Sequence, residues 1–238
     1  MKRLPAPPFP SRMSKVQSVL GWCYLPMHIF IIPLLAGLLA AFSPEPVDDV
    51  TVNVAYYAVG LAFTLFVMGS WLRRDFDTLL DNWSRCLLCA VFAYAAYWAL
   101  SFVTAALLLW SEGEVLNPNN EAIMELSSGG GYGPLRGLAI FIAPLVEETL
   151  FRGVIFGSLR RRGWRTIAYI VSIVTFSIYH VWQYVLLYAD PSLFIYALQY
   201  IPVSAALAWL YDRSGTIWGS IFFHMIINLI AFQVLSML

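Results

Sequence analysis

Charged residues are scarce in this 238-residue chain. Lys, Arg, Asp and Glu make up 12% of it, against about a quarter of an ordinary soluble domain. Apolar side chains account for 60% of the sequence, and the mean hydropathy is +0.72. This composition excludes a water-soluble globule and is typical of a protein embedded in a lipid bilayer. The fourteen basic and fourteen acidic residues cancel, so we expect no nucleic-acid partner.

Cysteine is also sparse. The three cysteines, Cys23, Cys86 and Cys89, lie in or beside apolar runs, and an odd number cannot all pair within one chain. Cys86 and Cys89 form a C-x-x-C pair, which supplies only two of the four ligands of a structural zinc site. We therefore expect no disulfide framework and interpret these cysteines as small membrane residues.

Seven apolar stretches approach the ~20 residues that a helix needs to cross a bilayer. They are Val19–Phe42, Val52–Trp71, Cys86–Trp110, Leu135–Leu159, Thr166–Tyr188, Leu193–Tyr211 and Thr216–Leu238. Backbone groups in hydrocarbon must bond within their own segment, and these runs are too long for barrel strands. The sequence predicts an all-α fold, a polytopic transmembrane helical bundle of about seven spans.

The basic residues occur in every second predicted connection. Twelve of the fourteen precede the first span or fall in the second, fourth and sixth connections, and the connections 43–51, 111–134 and 189–192 contain no Lys or Arg. Basic connections stay in the cytoplasm. The pattern predicts an integral membrane protein with a cytoplasmic N-terminal tail, 1–18, in the cytoplasmic membrane if the host is a bacterium.

Several polar side chains lie at membrane depth, where they are costly and mark functional sites by default. They are Glu147, Glu148 and Arg152 in the fourth span, His180 in the fifth, and His224 and Asn228 in the seventh. At a helical rise of about 1.5 Å per residue, the members of this set fall in one layer. The sequence therefore predicts a buried polar site formed by three helices.

Helical geometry separates the two glutamates. Consecutive residues lie 100° apart, so Glu147 and Glu148 cannot both face one small site. Glu148 and Arg152 are i,i+4 neighbours and can neutralise each other. Glu147 is then the free carboxylate, which could accept a proton from a water that His180 helps to hold.

The last span can supply donors to the same reaction. His224 and Asn228 also share a helix face and could stabilise the oxyanion of amide hydrolysis. Alternatively, Glu147, His180 and His224 could bind zinc and leave a position open for water. The chain has no H-E-x-x-H motif, and Asn228 suits an oxyanion donor better than a zinc ligand. We favour a reaction without a cofactor and keep zinc as the alternative.

Three motifs occur in order on separate spans: E-E-x-x-x-R from Glu147 to Arg152, F-x-x-x-H from Phe176 to His180, and H-x-x-x-N from His224 to Asn228. Together they resemble the CPBP family, which comprises the CAAX prenyl endopeptidases and the bacteriocin-processing and self-immunity proteins of the Abi group. The resemblance implies an intramembrane endopeptidase with its core in 135–238, preceded by accessory spans and loops over 19–134.

The resemblance also implies roles and a substrate. Glu147 takes the position of the general base, His180 that of its partner on the water, and His224 and Asn228 those of the oxyanion contacts. Glu148, Arg152 and Phe176 fall on further motif positions. Family members have been described both as metalloproteases and as glutamate-dependent proteases without metal. The implied substrate is a membrane-associated protein or peptide, processed at a CAAX tail or during bacteriocin maturation or self-immunity.

Two other functions use the same polar layer. In a membrane transporter, Glu147 and His180 would relay protons, and Gln183, Gln199 or Asn228 would hold the solute. A non-catalytic immunity protein would retain the site as a binding surface.

Overall fold

The computed structural model describes residue 9 and residues 13–45, 47–113, 117–121 and 132–235. Within these ranges the chain forms long helices and no strand, so the predicted all-α class is confirmed. We number the helices α1 (Lys15–Ala41), α2 (Asp49–Asp81), α3 (Trp83–Glu112), α4 (132–161), α5 (Arg165–Tyr188), α6 (Pro191–Ser214) and α7 (Ile217–Leu235). Most of the predicted N-terminal tail, 1–18, lies outside the described residues.

Six of these helices, α1 to α3 and α5 to α7, are long and apolar enough to cross a membrane. Helix α4 is of similar length but carries Arg136, Glu147, Glu148 and Arg152. Its central stretch, 146–157, is buried among the other helices, so Glu147, Glu148 and Arg152 do not face lipid. The protein is a polytopic membrane bundle of about seven spans.

Helix α2 is longer than the sequence predicts. The expected span ends at Trp71, but the helix continues to Asp81, and α3 begins at Trp83. The predicted cytoplasmic connection 72–85 is therefore mostly helix. Its polar residues lie on an amphipathic extension of the span rather than in a loop. One face of this extension packs on the start of α7, where Trp218 donates a hydrogen bond to the carbonyl oxygen of Leu72.

Asp75 on this extension fixes the start of α7. Its carboxylate accepts hydrogen bonds of 2.7 Å from the Thr216 hydroxyl and from the backbone amide of Ile217. The first amides of a helix have no partner within it, and a carboxylate there also complements the helix dipole. Asp75 is almost fully buried. It therefore holds the helix that carries His224 and Asn228.

Asp212 joins three helices at the same end of the bundle. It lies 2.7 Å from both Arg160 of α4 and Arg165 of α5, and it accepts a hydrogen bond from Tyr169. Because Asp212 belongs to α6, this cluster fixes the basic ends of α4, α5 and α6 against one another. Two of these helices, α4 and α5, also carry site residues.

Within the described residues, four π-helical segments interrupt the regular helices: Met27–Ile31, Thr64–Met68, Leu138–Ile142 and Glu148–Phe156. Such segments are rare and often accompany functional sites. Two of them flank Glu147 on α4, and Pro144 lies between these two. The sequence pattern did not predict these wider turns.

Candidate active site

Three helices bring Glu147, His180 and His224 together near the middle of the bundle. Glu147 is 3% exposed. Its Oε2 atom lies 4.0 Å from Nε2 of His180 and 3.9 Å from Nε2 of His224. One carboxylate oxygen therefore faces the outer nitrogens of two imidazoles, across gaps that a small bridging species can span.

The inner nitrogens of both rings have acceptors of their own. Nδ1 of His180 lies 2.9 Å from the carbonyl oxygen of Phe176, and Nδ1 of His224 lies 2.9 Å from Oε1 of Glu148. A carbonyl and a carboxylate only accept hydrogen bonds, so each Nδ1 carries a proton. Nε2 is then the atom that each ring presents to Glu147.

His180 lies where α5 changes course. The first part of this helix ends at Tyr179, and the second part begins at Trp182. The imidazole of His180 stacks on the ring of Tyr200, with 4.2 Å between ring centroids and 21° between planes. Packing on Tyr200 and the bond to Phe176 together fix the ring orientation. We infer that the break in α5 turns His180 into the site.

Glu148 and Arg152 form a buried ion pair next to this triad. Their separation is 2.9 Å, and both side chains are fully buried, as the i,i+4 spacing predicts. Arg152 also donates to the carbonyl and the hydroxyl of Ser204 on α6 and lies 4.2 Å from the ring centroid of Phe176. Glu148 also binds Nδ1 of His224, so this cluster holds the imidazole on the side that faces away from Glu147.

Asn228 has a structural partner. Its Nδ2 donates a 2.9 Å hydrogen bond to the carbonyl oxygen of Ala139 on α4. The segment Leu138–Ile142 is π-helical, where amides bond five residues back, and the fifth residue after Ala139 is Pro144, which has no N–H. Asn228 thus satisfies a carbonyl that the proline leaves without a helical donor. Its amide carries a second N–H hydrogen for a ligand.

Tyr57 of α2 is a contact of Glu147 that the sequence did not predict. Its hydroxyl donates a 2.9 Å hydrogen bond to Oε1 of Glu147 and lies 3.4 Å from the hydroxyl of Tyr179. The only sequence signal was a tyrosine pair, Tyr56 and Tyr57, within an apolar span. Because Oε1 of Glu147 accepts the Tyr57 hydrogen bond, Oε2 is the oxygen that remains available to bind a proton or a ligand.

We predict that Tyr57→Phe lowers kcat for peptide cleavage by roughly 10-fold and leaves KM near its wild-type value. The change removes a hydrogen bond to a charged group, worth about 1.5–3 kcal/mol, that orients Glu147 for the chemical step. Tyr56→Phe is the comparison: the Tyr56 hydroxyl donates to the backbone carbonyl of His28 and reaches Glu147 only through Tyr179 and Tyr57, so a smaller loss is expected. A rise in KM alone, or equal losses in both variants, would contradict this positioning role.

The triad lines a cavity of about 640 Å³. Glu147, His180, His224 and Asn228 all contribute to its wall, whereas Glu148 and Arg152 do not. The opposite walls come from α1, α2, α3 and the described residues 117–120. The motif residues all come after residue 134, and segments before residue 134 supply the rest of the cavity wall.

A zinc ion would find suitable donor types in this site. The two Nε2 atoms and Oε2 of Glu147 are the ligands that zinc accepts, and the Nδ1 bonds resemble those that orient zinc-bound histidines. Tetrahedral ligands at ~2.1 Å from zinc lie about 3.4 Å apart. The observed separations of 3.9 and 4.0 Å are wider than this and suit a hydrogen-bonded water as well.

In a comparison with known protein families, residues 134–230 match the Rce1-like family model, which is described as type II CAAX prenyl endopeptidase Rce1-like. The match contains all three motifs. A curated relative, "Putative membrane peptidase YdiL" of Bacillus subtilis strain 168, is 33% identical over 87 residues, which are 37% of this chain and 31% of that protein. The aligned part of this chain thus spans about a third of that relative's length. No solved structure matches.

Proposed function

We propose, from the Rce1-like domain that residues 134–230 carry, that this protein is an intramembrane endopeptidase. It hydrolyses a peptide bond of a membrane-associated protein or peptide with a water activated by Glu147. The observation that carries the proposal is the placement of Oε2 of Glu147 within 4.0 Å of two imidazole Nε2 atoms, on the wall of a cavity within the membrane bundle.

The first half of the reaction uses Glu147 and His180. Nδ1 of His180 carries the ring proton, so its Nε2 offers a lone pair. A water between the two side chains donates one hydrogen to this lone pair and the other to Oε2 of Glu147. As the water oxygen attacks the peptide carbonyl, its proton passes to Glu147, which later returns it to the leaving amine.

The second half concerns the charge that develops on the carbonyl oxygen. His224 binds Glu148 through Nδ1–H, so a donor bond to the oxyanion must come from Nε2–H, and the ring must carry both protons. Such an imidazolium gives the cluster a neutral total, because two carboxylates then face Arg152 and His224. Asn228 supplies the second donor.

With zinc bound, Glu147, His180 and His224 would hold the ion, which would supply an acidified water as nucleophile. This alternative requires an unprotonated Nε2 on His224, whereas the oxyanion role requires a protonated one. The two schemes therefore make opposite demands on one nitrogen atom. We favour the glutamate scheme, because Asn228 then has a role and the separations suit a water.

We predict that dialysis of purified protein against a chelator leaves peptide cleavage unchanged and that Asn228→Ala lowers turnover by about 10²–10³-fold. The readout is the release of a quenched fluorescent peptide, with zinc content measured in the same sample. Cleavage that vanishes with metal, returns on its addition and survives Asn228→Ala would favour the metal scheme. If the protein cleaves no member of a broad peptide library, the proteolytic function is contradicted, and a transport assay tests the alternative.

A further inference from the structure

The cavity is confined to one half of the bundle. Its wall contains residues of 33–57, 97–105, 117–120, 135–147, 176–184, 199–203 and 224–232. In every helix this is the half next to a connection without Lys or Arg, or next to the C-terminal end. No lining residue comes from 58–96, 148–175 or 204–223, which the structure describes in full and which enclose the basic connections.

The basic half of the bundle is tightly packed. The side chains between the polar site and the basic ends are at most 1% exposed: Leu150, Phe151, Val154, Ile155, Phe156, Leu207, Leu210, Tyr211 and Ile221. A Cβ atom added to Gly153 would lie 2.6 Å from Trp71. This packing leaves access to Glu147 from the other side.

The cavity wall also restricts the chemistry of its occupant. Its lining includes six carboxamides besides Asn228: Asn53, Asn117, Asn119, Asn120, Gln183 and Gln199. A carboxamide both donates and accepts, which matches the peptide group. Among the described residues, the lining contains no Lys or Arg, and Asp49 adds a carboxylate. A buried substrate carboxylate would need a cationic partner, so the wall suits an uncharged internal segment better than a free C-terminus.

The basic connections stay in the cytoplasm. Of the eleven Lys and Arg residues that the structure describes, nine lie at the end opposite the cavity, and the exceptions are Arg136 and the buried Arg152 of the site. We propose that the cavity admits an uncharged internal segment of a membrane-anchored peptide from the extracytoplasmic side. The cleavage step rests on the proposed function above. The side of access does not depend on that step and is tested without it.

The test uses cysteine labelling in a variant whose Cys23, Cys86 and Cys89 are replaced by Ala. Asn120→Cys places a thiol on the cavity wall, and Gln183→Cys is a second position on another segment of the wall. Arg162→Cys, in the basic connection after α4, is the control. A membrane-impermeant maleimide should label positions 120 and 183 in intact spheroplasts and position 162 only after permeabilisation.

The reverse labelling pattern, or equal labelling of both ends in intact spheroplasts, would overturn the proposal. The substrate class is tested by a quenched fluorescent peptide of uncharged residues, amidated at its C-terminus and added outside. Cleavage by intact wild-type spheroplasts, absent from a Glu147→Gln strain, is expected. Cleavage only after permeabilisation, or only of a peptide with a free C-terminal carboxylate, would contradict the inference. If labelling has the expected pattern but no peptide is cleaved, the proposed proteolysis has failed and the side of access stands.

Discussion

A Glu147→Gln variant is expected to lose peptide cleavage by about 10²–10⁴-fold, the range of a missing general base. The amide is close in size to the carboxylate, and it still accepts the Tyr57 hydrogen bond at Oε1. It cannot take the proton from the attacking water. The helices should fold as in wild type, because the amide keeps the size of the carboxylate and its hydrogen bond from Tyr57. The measurement is single-turnover cleavage of a fluorescent peptide, together with the thermal unfolding midpoint.

Asp49→Asn is the matched control for this change. Among the described lining residues, Asp49 is the acidic side chain besides Glu147, and it is exposed. The control removes one carboxylate from the same cavity without touching the triad, so near-wild-type cleavage is expected. Wild-type turnover by well-folded Glu147→Gln protein would rule out the proposed mechanism. A similar loss in both variants would mean that cavity charge, rather than a base, controls the rate.

The fold class and the polar layer were predictable because both depend on local rules. Length and hydropathy determine which segments cross the membrane, and the cost of buried charge identifies Glu147 and His180 as residues that need partners. The ion pair of Glu148 and Arg152 followed from helical spacing alone. All of these predictions depend on residues that are close in sequence or on one shared depth.

Tyr57 and Asp75 were not predictable in the same way. Their partners, Glu147 and the first amides of α7, are 90 and about 140 residues away. Nothing in the local pattern of α2 distinguishes a tyrosine that binds a carboxylate from one that lies at the lipid interface. The bond from Asn228 to Ala139 likewise depends on a π-helical turn beside Pro144, a backbone feature that hydropathy does not indicate.

The same network that positions His224 carries much of the stability of the site. Arg152 binds Glu148 and Ser204, and Glu148 binds both Arg152 and His224. Each of these two charges has a partner of opposite charge, but Oε2 of Glu148 and Nε of Arg152 are buried without a hydrogen-bond partner among the described residues. Removal of one charge therefore leaves the other in an apolar environment, where an unpaired charge is strongly destabilising.

Glu148→Gln and Arg152→Met are each expected to lower the free energy of unfolding by about 3–5 kcal/mol, the cost of breaking a buried pair. The double variant should recover part of this loss, because it removes both charges together. The measurement is unfolding in mixed micelles with increasing denaturing detergent, followed by tryptophan fluorescence. Arg165→Met is the matched control: its side chain is 48% exposed in a pair with Asp212, so a change below about 1 kcal/mol is expected.

The pattern of the three variants distinguishes a pair from two independent residues. Residues in direct contact couple, so the double variant should be more stable than the sum of the single losses predicts. Recovery should be incomplete, because Ser204 loses its cationic partner and Met does not reproduce the contact of the guanidinium with Phe176. Additive losses, or single losses no larger than that of Arg165→Met, would show that the pair does not hold α4 in the bundle.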